Sequence, residues 1–306
     1  IVVSDINRFV FCMGANALGS STLDPMLVRW SDQEDAGNWT PSSINQAGSL
    51  RLSQGAEVIT AVQARQELLI WTDTAMYSLQ YVGAPIVWGS QLIGDNISIA
   101  SSNAATYANG VAYWMGIGNF YKYDGRLQPL RCDVKKYIFN DFNTEQYTQV
   151  FSGTNESHGE VWWFYCSGSV TAIDRYVVYN YEQDIWYYGT LARSAWLDSG
   201  LRDFPIAATY NNNLVDHERG LDNAETSTPA AIDAHIQSAQ FDLEDGHQFA
   251  FIHRILPDVT FDGSTADSPA VTMTLLPLQN SGSGYTSPAS EGGSSSGGVT
   301  RTSSSP

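Results

Sequence analysis

Residues 161–189 read VWWFYCSGSVTAIDRYVVYNYEQDIWYYG. Two runs of β-branched and aromatic residues, Val161–Cys166 and Arg175–Tyr181, precede a third short one, Ile185–Tyr188. Ser167-Gly168-Ser169 and Glu182-Gln183-Asp184 separate them. Branched and aromatic side chains pack well on a pleated surface, whereas Gly, Ser, Asn and Asp favour turns. The stretch therefore predicts an up-and-down meander of three strands joined by short turns.

The same design recurs on both sides of it. Arg8–Met13 and Pro25–Trp30 are strand candidates in a first unit that closes at Asn38-Trp39-Thr40-Pro41. A second unit runs from about Glu57 to Trp88, with strands Leu68–Trp71 and Met76–Tyr81 around the turn Thr72-Asp73-Thr74. A third spans Ile97 to Leu130, with Val111–Met115 and Phe120–Tyr123 as strands and Asp124-Gly125 as a hairpin turn. The opening stretch belongs to a fourth unit, Tyr147–Leu191. A fifth begins near Phe204, with Ile206–Tyr210 and Leu214–His217 as its strands. Val134–Glu145 reads as a short helix or an irregular crossover.

The leading strands start at Leu68, Val111 and Val161, which sets a period of about 40–50 residues. Four short strands per period predict an all-β chain, a β-propeller of four-stranded blades. One such blade is too small to bury both of its faces. Radial stacking covers the faces and closure of the ring removes exposed edges. Trp30, Trp39, Trp71, Trp88, Trp114, Trp162, Trp163 and Trp186 are the expected structural aromatics of the blades, because a large flat ring between two neighbours buries much area.

The pattern changes after about Ser238. Phe241–Ile255 and Ala270–Leu276 are longer, and Val271, Met273 and Leu275 alternate with Thr272 and Thr274. The expected organisation is a propeller over 1–237, a partial accessory β domain resembling a sandwich over 238–280, and a Gly/Ser-rich hairpin loop or linker over 281–306.

Composition narrows the function classes. Apolar residues make up 43% of the 306, enough for a sizeable core, while only 15% are charged. The net charge is −17, and Lys135-Lys136 is the one adjacent basic pair. Such a surface repels phosphate, which argues against nucleic acid held by counterion release and against anionic lipid. No apolar run reaches the length of a membrane span. Cys12, Cys132 and Cys166 are odd in number and lack metal or redox spacing, so buried free thiols from a reducing compartment are expected. The chain opens in mid-run on Ile-Val-Val, without Met or signal peptide, and reads as an interior piece of a longer protein.

No nucleotide-binding, metalloprotease or serine-nucleophile motif occurs, and no cofactor is expected. The five histidines are scattered. His247 and His253 share a face if extended, but two ligands do not define a metal site. Acidic residues cluster at Asp32, Glu34, Asp35 and at Asp242, Glu244, Asp245. Ser31–Trp39 loosely resembles the Asp box of sialidases, with Asp35 and Gly37 matching, Gln33 in place of the Ser and Trp39 one residue early. That box is a turn device in its own family.

Three strings resemble a known family: DPMLVRWSDQEDAGNWTP, LLIWTDTAMYSLQYVGAPIVWGSQLIGDN and YVVYNYEQDIWYYGTLARSAWLDS. They are similar to tail hub or nozzle proteins of short-tailed bacteriophages, also called tubular tail or packaged-DNA stabilisation proteins. The resemblance covers most of Asp24 to about Leu278. It implies a virion tail protein assembled in the host cytoplasm, a homo-oligomeric ring below the portal, contacts with portal or adaptor and other tail proteins, and double-stranded DNA passing through the lumen without sequence-specific binding. It implies no catalytic residues, hence no enzyme. Family members are longer at both ends. Two other readings remain at this stage. One is a propeller that binds host-surface glycan through exposed Trp and Tyr. The other is a propeller glycoside hydrolase, which needs a carboxylate pair about 5–9 Å apart in an axial cleft.

Overall fold

A computed structural model describes residues 1–304 except 199, 221, 224, 226–227, 229, 233–234, 237, 239–240, 248–251, 255, 257, 263–267 and 277–298. The chain folds into two compact units, Ile1–Ile232 and Asp233–Pro306.

The first unit is a series of antiparallel meanders. Blade 1 contains β1 (Val2–Ser4), β2 (Phe9–Met13), β3 (Leu27–Trp30) and β4 (Gly48–Arg51). Blade 2 contains β5 (Val58–Gln63), β6 (Glu67–Thr72), β7 (Ala75–Gly83) and β8 (Val87–Asp95). Blade 3 contains β9 (Ala105–Ala108), β10 (Val111–Met115), β11 (Phe120–Tyr123) and β12 (Leu127–Leu130). The helix α1 (Lys135–Asp141) and a 3-10 segment, Thr144–Gln149, cross to blade 4. Blade 4 contains β13 (Phe151–Asn155), β14 (Glu160–Tyr165), β15 (Arg175–Asn180) and β16 (Ile185–Thr190). A three-stranded sheet follows: β17 (Ala195–Leu197), β18 (Ile206–Ala208) and β19 (Leu214–Asp216). A short pair, β20 (Asp222–Asn223) and β21 (Ala230–Ala231), completes the described strands of this unit.

The first strands of successive blades lie side by side: β1 by β5, β5 by β9, β9 by β13, and β13 by β17. First strands adjoin one another while each sheet runs outward in chain order, so the sheets radiate from a shared centre. In blades 2 to 4 the second strand is the most buried, whereas in blade 1 it is β3. The runs Leu68–Trp71, Ala112–Met115 and Val161–Tyr165 have no exposed face.

The side-chain partners explain those unbroken apolar runs. Successive residues of a strand point to opposite faces. Leu68 and Ile70 pack into the core shared with Phe9, Phe11 and Trp88. Leu69 and Trp71 pack into the core shared with Trp114 and Met115. In β14, Trp162 and Phe164 join the cluster with Trp196, while Val161, Trp163 and Tyr165 join the one with Phe120. A strand covered on both faces needs apolar residues at every position rather than at alternate ones.

Small residues let the large rings lie flat. Gly189 pairs directly with Tyr176 across β15 and β16, and a Cβ built on it would stand 2.6 Å from the phenol oxygen. A Cβ on Gly153 of β13 would stand 2.3 Å from Trp196 Cδ1.

In the five sheets, β1, β4, β9, β12, β13 and β17 lie outside the strand candidates read from the sequence. Each is only three to five residues long, too short to show a strand period.

In the second unit, β22 (Ala270–Leu275) pairs antiparallel with β23 (Val299–Ser304). No described residue of Phe241–Ile255 is in a strand; 248–251 and 255 lie outside the described residues. The tract from 281 to 298 lies outside them as well.

Candidate functional site

Two features of the first unit can carry function: the seams between blades and the cleft along the first strands. At the blade 1–2 seam, Trp88 stands edge-on to Phe11 (4.9 Å between centroids) and Phe9 (5.5 Å). At the 2–3 seam, Trp71 meets Trp114 edge-on at 5.2 Å. At the 3–4 seam, Phe120 packs against Trp163 (5.1 Å) and Trp186 (4.8 Å). Two indole donors tie that seam: Trp163 Nε1 donates to the Ala104 carbonyl at 3.0 Å, and Trp186 Nε1 to the Arg131 carbonyl at 2.8 Å. At the last seam, Trp162 stacks on Trp196 at 5.1 Å, and Trp196 Nε1 donates to the Thr154 carbonyl at 2.8 Å.

Six of the eight tryptophans singled out in the sequence thus sit at seams: Trp71, Trp88, Trp114, Trp162, Trp163 and Trp186. Trp30 lies on blade 1, beside Phe11 in the core shared with blade 2, and donates to the Gln46 carbonyl. Trp39 is in the loop after β3, where Nε1 donates to the Ala36 carbonyl and its own carbonyl accepts from Arg29. Trp196 is not among the tryptophans expected from the sequence, because β17 is too short to show a strand pattern.

Polar groups tie β13, β14 and β16 of blade 4 together. The buried Glu160 carboxylate accepts from Trp162 Nε1 (2.9 Å), Asn155 Nδ2 (3.2 Å) and the Tyr187 hydroxyl. Burial, followed by this carboxylate, pushes the Tyr187 phenol well above its usual range, so the phenol stays protonated as the donor. Beside the three-stranded sheet, buried Arg193 pairs with Glu225 and donates from Nε to His217 Nε2 at 3.0 Å. Burial and the adjacent guanidinium lower the His217 pKa from 6.5 to about 4. The imidazole is therefore neutral at physiological pH, as an acceptor must be.

The axial cleft, open to solvent, has a volume of about 740 Å³ along β5, β9, β13 and β17. Its polar lining comes from hydroxyls and amides, among them Thr60, Ser102, Asn103, Thr148, Gln149 and Tyr210. Among the described residues, no carboxylate, imidazole, ammonium or guanidinium lines it. The carboxylate pair that glycoside hydrolysis requires has no counterpart in this cleft. A second cleft of about 460 Å³ spans blades 1–3 beside Asp5, Arg65 and Tyr107.

Among the described residues no cluster of three or more metal-ligating side chains occurs, and no helix is long and apolar enough to cross a membrane. The three thiols are free. Burial pushes Cys132 up to about 12 and raises Cys166, so neither is a ready nucleophile at neutral pH.

No protein-family model and no curated protein matches the chain. Solved structures do match. Kluyvelomyces marxianus Hsv2 is 11% identical with a TM-score of 0.39, over 72% of this chain and 61% of that one. A protein of Bacteroides fragilis described as exported is 9% identical with a TM-score of 0.35, over 68% of this chain and 65% of that one. The chain thus spans less than two thirds of each of these structures. At such scores the likeness adds nothing to what strand order, strand adjacency and the alternating cores already establish: this chain is a β-propeller protein built of four-stranded blades.

Proposed function

We propose that the protein is a structural component of a bacteriophage tail, a subunit of a ring-forming nozzle or hub below the portal through which double-stranded DNA passes. The observation that supports this most directly is where the three family-like strings fall. They cover β3 with part of its following loop, β6 to β8, and β15 to β17, which are parts of blades 1, 2 and 4 and the lead into the next sheet. A tail part needs rigidity rather than turnover. Aromatic seams at each blade boundary and a cleft without acid, base or thiol suit that demand. A net charge of −17 lets DNA slide, because phosphate finds few cations to hold it.

The test is mass and position. Native mass spectrometry of the full chain is expected to give a closed ring of about six to twelve copies, and a map of intact particles is expected to set those copies around the tail axis. A chain that remains monomeric and is absent from particles overturns the proposal. A ring whose inner wall is lined by Lys and Arg overturns the sliding of DNA.

A further inference from the structure

We propose that the axial cleft is a binding site for a neutral saccharide of about two sugar units, independent of ring formation. The volume, about 740 Å³, lies within the range of about 300–1,000 Å³ typical of small-ligand pockets. The side chains of Thr60, Ser102, Asn103 and Thr148 line it and make no hydrogen bond within the described residues. Asn103 is instead engaged through its backbone: its carbonyl accepts from both the amide and the hydroxyl of Ser152.

These four side chains present hydroxyls that both donate and accept, and one carboxamide with two donors and an acceptor. A saccharide offers the same mixed chemistry, and each hydroxyl can pair with either kind of group. Ala61, Val62, Ala105 and Ala195 supply apolar patches of small residues for the C–H faces of a sugar ring. Tyr210 supplies the aromatic surface. It is 46% exposed, and its hydroxyl accepts from the Ile173 amide at 3.0 Å, which steadies it. The tryptophans do not serve here: Trp196 reaches the cleft wall, but Trp162 and His217 pack against its ring.

Charge selects against the alternatives. No cation in the lining can hold a carboxylate, sulfate or phosphate, and the chain as a whole repels anions. No carboxylate is present to hold a cationic ligand.

The test uses the full chain with lactose, maltose and chitobiose as neutral probes and sialyllactose as the anionic one. Saturation-transfer NMR and calorimetry read binding. At least one neutral disaccharide is expected to bind, and the double variant Asn103→Ala/Thr148→Ala is expected to weaken it at least about tenfold. Both side chains are exposed, so this variant keeps the fold, and an unchanged thermal midpoint checks that. Tyr210→Ala should weaken binding as well, whereas Asn109→Ala in the second cleft should not. The proposal is overturned if no neutral probe binds at concentrations on the order of 10 mM. Binding that survives the double variant, or binding of sialyllactose as tight as that of lactose, also overturns it.

Discussion

Single side chains in this propeller divide into those that hold two blades together and those that do not. Trp163 belongs to the first group, fully buried between Phe120 and Trp186 with its indole donor paired across the seam. Trp163→Ala is expected to cost about 3–5 kcal/mol in urea unfolding. Trp39→Ala, in the loop after β3, is expected to cost under about 1 kcal/mol. Gly153→Ala should also destabilise by more than a typical surface change, because the added methyl collides with the Trp196 ring. His217 gives a pH signature. It titrates near 4 when folded and near 6.5 when unfolded, so the unfolded chain takes up the proton first as acid is added. Its contribution to stability is intact above pH 6.5 and is lost as pH falls towards 4. Unfolding free energies of the wild type and His217→Gln, measured across that window, should converge at the acid end. Trp30, Trp71, Trp88, Trp114, Trp162, Trp163 and Trp186 were legible in the sequence because each lies in or ends an apolar run, whereas Trp196, on the three-residue β17, was not. The Arg193–Glu225–His217 group was not, since its members lie up to 32 residues apart on weakly patterned segments.

At the scale of elements, the second strands carry the order. The runs Leu68–Trp71, Ala112–Met115 and Val161–Tyr165 are buried on both faces, whereas β17 and β19 leave Leu197 and Leu214 exposed. Amide hydrogen exchange followed by mass spectrometry should accordingly be slowest in β6, β10 and β14 and fastest in β17 to β19. Equal protection of β14 and β19 would contradict this ranking. The same contrast explains which strands could be read in advance. A strand covered on both sides must be apolar throughout, and LLIW, VAYWM and VWWFY stand out for that reason. The first strands β1, β9 and β17 lie side by side with their neighbours at the centre, are only three or four residues long, and blend into their loops. Phe241–Ile255 shows the opposite error. Its apolar spacing suggested strands, yet its described residues form none. Periodicity alone does not supply a partner strand to pair with.

For the whole molecule, the three hydrophobic clusters lie between Val2 and Trp196, all within the first unit. A chain shortened to end at Ile232 is therefore expected to keep its thermal midpoint within about 4 °C, read by scanning calorimetry. A larger drop would mean that residues 233–306 contribute to the stability of the propeller. The overall charge makes a separate prediction. The full chain should show no retention of duplex DNA in gel shift near physiological ionic strength, since counterion release needs cations that the chain does not concentrate. Repetition with a period of 40–50 residues was what made the architecture readable. The order of seams around the centre was not, because it depends on which face of each strand meets which neighbour.

That last dependence makes β14 sensitive to frameshift in space rather than to loss of bulk. Its odd-numbered side chains serve one neighbour and its even-numbered ones the other, so inserting a single residue near Trp162 would send every ring beyond it to the wrong partner. One extra residue there should do more harm than any substitution in the strand, whereas two extra residues would restore the parity.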